Sequence, residues 1–259
     1  QDLDGVEVIT GSSGDDTLTV TDDTSVTLDG GDGADTLIGN VGDDTLLGGS
    51  GSDTLIGGGG SDVVDGGQGS DLLELDGAAG VTAEGGDGTD TVVLVGETNE
   101  ASLSGVEVVV GSAGDDSVTV STNDIASVSG GAGIDDVTLT DASGNTVDLA
   151  GVEVITGSAG SDILTVTDDT SVMVDGGDGA DTLTGNVGDD TLLGGSGSDT
   201  LIGGGGADFV DGGEGADLLE LDGSAGVTGE GGAGTDTVVL VGETNEASLS
   251  GVEVVTGSA

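Results

Sequence analysis

Large aliphatic residues recur along the chain at intervals of nine, each flanked by two residues whose type varies from one copy to the next. The stretch GGDGADTLI, GNVGDDTLL, GGSGSDTLI, GGGGSDVVD, GGQGSDLLE shows the pattern, with the aliphatic residue eighth in each unit. One inward side chain between two outward ones indicates a short β-strand. Because so short a strand buries nothing alone, the pattern predicts coils that stack. Leu37, Leu55 and Leu73 then form one inner column, and Leu46 and Val64 form the opposing one.

A fixed turn precedes each of these strands. Sixteen complete nonapeptides share Gly at positions 1 and 4, Asp at position 6 and Leu or Val at position 8. Glycine permits the positive φ angles and close backbone approach of a tight turn, and the Asp places an acid where the turn ends. One spacing shared by all sixteen turns favours a binding role for these acids over that of solvated turn residues.

Longer periods organise the array. A 146-residue repeat divides one continuous solenoid, 1–259, into a first unit at 5–150 and an incomplete second unit at 151–259, and its phase predicts a fragment of a longer array. Some steps between turns are 19 residues long, with a segment such as VTDDTSVTLD in place of the second nonapeptide. Others are 26 or 27 residues long and carry added strands. These longer segments either widen a coil or add half a turn, which would exchange the two edges.

The nonapeptide resembles the RTX, or haemolysin-type, calcium-binding repeat, G-G-x-G-x-D-x-U-x with U a large aliphatic residue. The resemblance implies an all-β fold, a right-handed parallel β-helix or β-roll solenoid with Ca²⁺ between stacked Gly/Asp turns. Position-6 carboxylates and carbonyls of the Gly-rich turns would be the ligands. The metal-binding residues implied are Asp16, Asp35, Asp44, Asp53, Asp62, Asp71, Asp90, Asp116, Asp135, Asp162, Asp181, Asp190, Asp199, Asp208, Asp217 and Asp236.

Five turns depart from the family pattern at position 2. That position is Ser at Ser12, Ser112 and Ser158, and Asn at Asn40 and Asn186. Asn tolerates the left-handed backbone region and Ser tolerates it less well. We expect these five turns to bind calcium more weakly.

The net charge of the chain favours bound metal ions. The chain has 52 acids and no Lys, Arg or His, a formal charge of −52. Such a chain repels itself, so it is either unfolded or completed by cations. The charge excludes nucleic acid and anionic membranes as electrostatic partners. One Ca²⁺ at each of eleven stacked turn pairs would reduce the charge to −30.

The chemistry available predicts a structural protein and not an enzyme. The chain has no Cys, His or Lys for nucleophilic or acid–base catalysis, no aromatic platform for a sugar, and no run of apolar residues that could span a membrane. We expect a calcium-stabilised extracellular solenoid, as in a surface protein, adhesin stalk, surface layer or filament, that continues into more repeats or self-associates. The resemblance implies type I secretion. The alternatives are a folding and secretion module of a secreted enzyme or toxin, and an ice-binding solenoid, which is disfavoured because Val63 and Leu72 interrupt the outward Thr residues.

Overall fold

The protein forms two compact units, Gln1–Asp135 and Asp136–Ala259. A computed structural model describes residues 8–21, 23–76, 80–222, 226–242 and 246–257. Over these ranges the regular secondary structure is entirely β-strand. None of the described residues forms a helix with the length and apolarity needed to cross a membrane.

In the first unit, the described strands alternate between two parallel sheets. They are β1 (Val8–Thr10), β2 (Thr17–Thr19), β3 (Thr27–Asp32), β4 (Thr36–Asn40), β5 (Thr45–Ser50), β6 (Thr54–Gly58), β7 (Val63–Gly69), β8 (Leu72–Leu75), β9 (Val81–Gly88), β10 (Thr91–Leu94), β11 (Thr98–Ser104), β12 (Val108–Val110), β13 (Asp115–Val120) and β14 (Ser127–Ser129). Odd-numbered strands pair in order in one sheet and even-numbered strands in the other. Two successive strands therefore make one coil of a β-solenoid, as the sequence predicts.

The second unit repeats this architecture. Its described strands are β15 (Asp136–Leu139), β16 (Thr146–Ala150), β17 (Val154–Thr156), β18 (Ile163–Val166), β19 (Met173–Asp175), β20 (Thr182–Thr184), β21 (Thr191–Leu193), β22 (Ser196–Gly197), β23 (Thr200–Ile202), β24 (Phe209–Asp211), β25 (Glu214–Gly215), β26 (Leu218–Asp222), β27 (Val227–Glu230), β28 (Ala233–Gly234), β29 (Thr237–Val241), β30 (Ala247–Ser250) and β31 (Val254–Gly257). One parallel sheet runs β15-β17-β19-β21-β24-β27-β30 and the other β16-β18-β20-β23-β26-β29-β31. The two-residue strands β22, β25 and β28 form a small third sheet where the Gly-rich turns stack.

Register in the sheets places the eighth-position residues in columns. Leu37 pairs with Leu55 and Leu55 with Leu73, while Leu46 pairs with Val64 in the opposite sheet. All five side chains are at most 1% exposed. The predicted inner columns are thus confirmed. Each fully buried Leu contributes about 1.5–3 kcal/mol of hydrophobic free energy.

The 26-residue step in the first unit adds half a turn. The turn that ends at Asp90 leads into β10 of the even-numbered sheet, whereas Asp116 belongs to β13 of the odd-numbered sheet. Between them the chain makes β11 and β12, one strand in each sheet. This settles the alternative that the sequence leaves open: the nonapeptide turns move to the opposite edge of the solenoid.

Candidate metal centre

The turns carry the position-6 Asp side chains into the protein instead of out to solvent. Fifteen of the sixteen predicted ligands are at most 3% exposed, and Asp16 is half-buried. A buried carboxylate is costly unless it is hydrogen-bonded or paired with a cation. The chain has no Lys, Arg or His to supply that charge.

Hydrogen bonds join these acids into ladders that run from coil to coil. The backbone N–H of Asp16 donates to Oδ1 of Asp35 (2.7 Å), and the N–H of Asp35 donates to Oδ1 of Asp53 (2.7 Å). The N–H of Asp53 donates to Asp71 Oδ1 and that of Asp71 to Asp90 Oδ1, both at 2.8 Å. Each Asp thus supplies one carboxylate oxygen to the preceding coil and one N–H to the next.

All sixteen predicted residues belong to such ladders, which we call acid rows. There are five rows: Asp16, Asp35, Asp53, Asp71 and Asp90; Asp44 and Asp62; Asp116 and Asp135; Asp162, Asp181, Asp199, Asp217 and Asp236; and Asp190 and Asp208. The N···Oδ1 distances between successive members are 2.7–3.0 Å. Every row lies within one unit of the chain.

The second carboxylate oxygen, Oδ2, is buried without a hydrogen-bond partner at ten of these residues. They are Asp35, Asp53, Asp62, Asp71, Asp90, Asp181, Asp199, Asp208, Asp217 and Asp236. A buried acceptor left unsatisfied costs about 1–3 kcal/mol, and more when it is charged. The same unsatisfied oxygen at ten turns indicates that a cation binds beside it.

The glycine at position 1 of the nonapeptide leaves a small space beside Oδ2, which we call its cradle. A methyl group added to Gly66 would lie 2.5 Å from Oδ2 of Asp71 and 2.6 Å from the carbonyl oxygen of Gly85, in the next coil. In the second unit, a methyl group on Gly176 would lie 2.5 Å from Oδ2 of Asp181, with a carbonyl oxygen of the next coil 2.8 Å away. A carboxylate and a carbonyl oxygen therefore converge on space that only glycine leaves open.

The donor set fits calcium. The converging atoms are carboxylate and carbonyl oxygens, the ligands of hard cations, and Ca²⁺ accepts backbone oxygens in flexible geometry where Mg²⁺ demands a near-ideal octahedron. Among the described residues no three acidic side chains converge on one point, so carbonyl oxygens would have to complete the coordination. Oδ2 of a position-6 Asp and the position-1 carbonyl of the next coil would hold the ion.

The turns adopt two backbone conformations. In eleven turns, which we call open, the residues at positions 2 and 4 are glycines with positive φ, such as Gly49 (106°) and Gly51 (142°). In the five closed turns, position 2 is Ser or Asn and neither position has positive φ. The closed turns contain Ser12, Asn40, Ser112, Ser158 and Asn186. All ten unpartnered Oδ2 atoms belong to open turns.

In a closed turn, the backbone N–H of residue 2 donates to Oδ2 of the position-6 Asp. The N···Oδ2 distance is 2.9 Å from Asn40 to Asp44 and 2.7 Å from Ser158 to Asp162. In four of the closed turns, those of Asn40, Ser112, Ser158 and Asn186, the side chain of residue 2 also accepts from the position-4 N–H, as between Asn40 Oδ1 and Gly42 (2.6 Å). The weaker calcium affinity expected of these turns stays a prediction, and this hydrogen bond is its structural basis.

Burial raises the pKa of several of the position-6 acids. Desolvation raises the pKa of Asp62, Asp71 and Asp181 to about 6, and repulsion from neighbouring acids adds to the increase. Desolvation also raises the pKa of Asp53. By contrast, hydrogen bonds from the backbone and hydroxyl of Ser12 lower the pKa of Asp16, in a closed turn. Burial also raises the pKa of Asp190, which belongs to a closed turn, so the increase follows the burial of an acid and not the conformation of its turn.

The nonapeptide pattern misses residues that end the acid rows. Oε2 of Glu107 accepts from the N–H of Asp90 (2.6 Å), and Oε2 of Glu253 accepts from that of Asp236 (2.7 Å). At the start of the row that Glu253 ends, Nδ2 of Asn145 donates to Oδ1 of Asp162 (2.7 Å). Recurrence of the Glu in the GVEV segments is the sequence signal that could have revealed Glu107 and Glu253.

Comparison with known protein families agrees with this geometry. The sequence profile of the family described as RTX calcium-binding nonapeptide repeat, which spans four copies, matches several overlapping segments. They are residues 3–24, 27–55, 38–73, 173–201, 184–219 and 193–226. No curated protein sequence matches the chain.

Proposed function

The chain carries RTX calcium-binding nonapeptide repeats, and from this premise we propose that it is a calcium-stabilised structural solenoid that works outside the cell. The observation that carries the proposal is the set of ten buried Oδ2 atoms without partners, each in a Gly-rich turn. A divalent cation beside these atoms supplies the charge that the side chains of this protein cannot supply.

Calcium then acts as a folding ligand. The unfolded chain keeps its 52 acids in water, whereas the solenoid buries fifteen of them. An ion that binds only the folded state stabilises that state by mass action, by about 2.7 kcal/mol when its free concentration is 100 times its Kd. Several such ions offset the repulsion that composition alone would produce.

Dependence on calcium favours a role outside the cell. Calcium modules of extracellular proteins bind with Kd values of about 10⁻⁴–10⁻³ M, far weaker than cytosolic sensors. Ions that must offset both the burial and the mutual repulsion of carboxylates would bind with Kd values in this weak range. The solenoid would therefore fold only after export. We further propose that it contacts more copies of the same repeat, since a parallel sheet pairs readily with another strand at its edge.

The role proposed is non-catalytic. The position-6 carboxylates are held by ladder hydrogen bonds, and the chain offers no imidazole, thiol or amine to work beside them. Their fixed positions suit the holding of an ion between coils and give no reactive group access to a substrate. The two sheets stacked on the aliphatic columns supply the mechanical framework.

Immunogold labelling of intact cells of the source organism, with antibodies against this chain, tests the location. Label on unpermeabilised cells or on extracellular fibres is the expected result, and label only after permeabilisation would contradict an external role. Sequencing the whole protein supplies the second arm. Further repeats of the same type support a structural array, whereas an attached catalytic domain would identify a folding and secretion module instead.

A further inference from the structure

Closed turns occupy one particular place in the acid rows. Each of the five rows begins with a closed turn, and every later member of each row belongs to an open turn. The first members are Asp16, Asp44, Asp116, Asp162 and Asp190. A substitution confined to the head of every row is a positional feature, which random divergence of position 2 would not produce.

The first Asp of a row is satisfied by the protein itself. Asp162 shows this most fully: Oδ1 accepts from the backbone N–H (2.6 Å) and Nδ2 (2.7 Å) of Asn145, and Oδ2 accepts from the N–H of Ser158 (2.7 Å). The Ser158 hydroxyl lies 3.0 Å from the same Oδ2. These four hydrogen bonds satisfy both oxygens of the Asp162 carboxylate, so this carboxylate does not need a cation.

The same hydrogen bond opposes a cation at that turn. In a closed turn the backbone nitrogen of residue 2 lies 2.6–2.9 Å from Oδ2 and points the positive end of its N–H dipole at that oxygen, which is without a partner in ten of the open turns. An ion next to Oδ2 would face this N–H at close range and be repelled by it. An open turn avoids this repulsion because positive φ at positions 2 and 4 directs its backbone along a different path. A Cβ disfavours positive φ, so both positions are glycine.

We propose that the closed turns are metal-free end caps, and that calcium binds tightly only between two consecutive open turns. This inference rests on the proposed calcium function. Two rows contain consecutive open turns, from Asp35 to Asp90 and from Asp181 to Asp236. Each gives three neighbouring pairs, so the described turns hold six tight sites, three in each unit, and not the eleven that counting every stacked pair suggests.

A cap of this kind has a use in a long solenoid. It ends a row of bound ions without leaving an unpaired carboxylate at the end, and Glu107 and Glu253 accept the last ladder N–H at the opposite end of the two long rows. Each calcium block is thereby complete in itself. Coils between blocks, including the half-turn step, can vary in length without exposing a half-built calcium site.

Counting tightly bound calcium by equilibrium dialysis with elemental analysis tests the inference on the whole chain. Replacement of the cap residue, Asn40→Gly, allows positive φ and makes an open pair with the turn of Asp62, so the count should rise from six to seven. The double variant Asn40→Gly/Asn186→Gly should bind eight. Val41→Gly is the matched control, because it adds the same backbone freedom one residue away and keeps the cap, and it should bind six.

The outcomes separate the two proposals. About eleven equivalent sites in the unmodified chain, or an unchanged count in Asn40→Gly, would overturn the cap assignment and leave the calcium function intact. A chain that binds no calcium at millimolar concentration would refute the proposed function itself. An extra ion in Val41→Gly as well would show that flexibility, and not removal of the cap, creates the site.

Discussion

Replacement of Asp53 by Asn removes one charge from the middle of a five-member acid row and keeps its ladder in place. Oδ1 of the amide still accepts from the N–H of Asp35, at 2.7 Å in the unmodified protein, and the N–H of residue 53 still donates to Asp71 (2.8 Å). The change is confined to Oδ2, which has no partner and lies beside the cradle of Gly48. Asp53→Asn therefore isolates the role of the calcium-facing oxygen.

The expected effect depends on calcium and changes sign. At a free concentration of 100 times Kd, the loss of one ion lowers the free energy of unfolding by about 2.7 kcal/mol. The loss shrinks as calcium is withdrawn, since an empty site contributes nothing. Near zero calcium the variant becomes the more stable protein, because a neutral amide avoids the desolvation that raises the pKa of Asp53.

Urea unfolding followed by circular dichroism measures this effect at a series of free calcium concentrations that are all high enough to fold the chain, because the midpoint reports stability at constant slope. Thr54→Ala is the control: Thr54 is the adjacent, outward-facing residue, and its change should stay within about 0.5 kcal/mol at every calcium concentration. A deficit in Asp53→Asn that is the same at all calcium concentrations would refute the assignment of Oδ2 to the metal.

Two further predictions concern the core and the pH dependence. Leu55→Ala empties a fully buried position in an inner column and should lower the free energy of unfolding by about 2–5 kcal/mol at every calcium concentration, so a calcium-dependent loss in the same urea assay would contradict a purely hydrophobic role. Because the pKa of Asp62, Asp71 and Asp181 is raised to about 6, the metal-free solenoid binds more protons than the unfolded chain between about pH 4 and 6 and loses stability as pH rises through that range. In chelator, the β signal in circular dichroism should therefore be larger at pH 4.5 than at pH 7, and the opposite trend would contradict burial of these acids.

The solenoid could be predicted from the sequence because its determinants are local. Position 8 of each nonapeptide directs one aliphatic side chain inward, and Leu37, Leu55 and Leu73 pair as that spacing requires. The same spacing places Asp35, Asp53 and related acids in stacked turns. Among consecutive nonapeptides, the spacing thus determines which side chains share a column and which share an edge.

The rest of the site depends on partners from other coils, which a nine-residue pattern does not describe. Glu107 replaces a position-6 Asp only because the irregular segment places it 17 residues after Asp90, where the next ladder acceptor belongs. The half-turn step and the hydrogen bonds from Asn145 to Asp162 likewise depend on the length of a whole coil. The sequence shows that position 2 is unusual in five turns, but the hydrogen bond from Ser158 to Asp162 depends on the three-dimensional path of the closed turn.

The central claim is that calcium completes a solenoid whose buried acids have no other counter-charge. Far-ultraviolet circular dichroism of the whole chain at pH 7, first in chelator and then in millimolar calcium, tests it most directly. The account predicts a largely disordered spectrum that converts to a β spectrum as calcium is added, with no conversion in a matched increase of sodium chloride. A chain that shows the full β spectrum in chelator, unchanged by calcium, would contradict it.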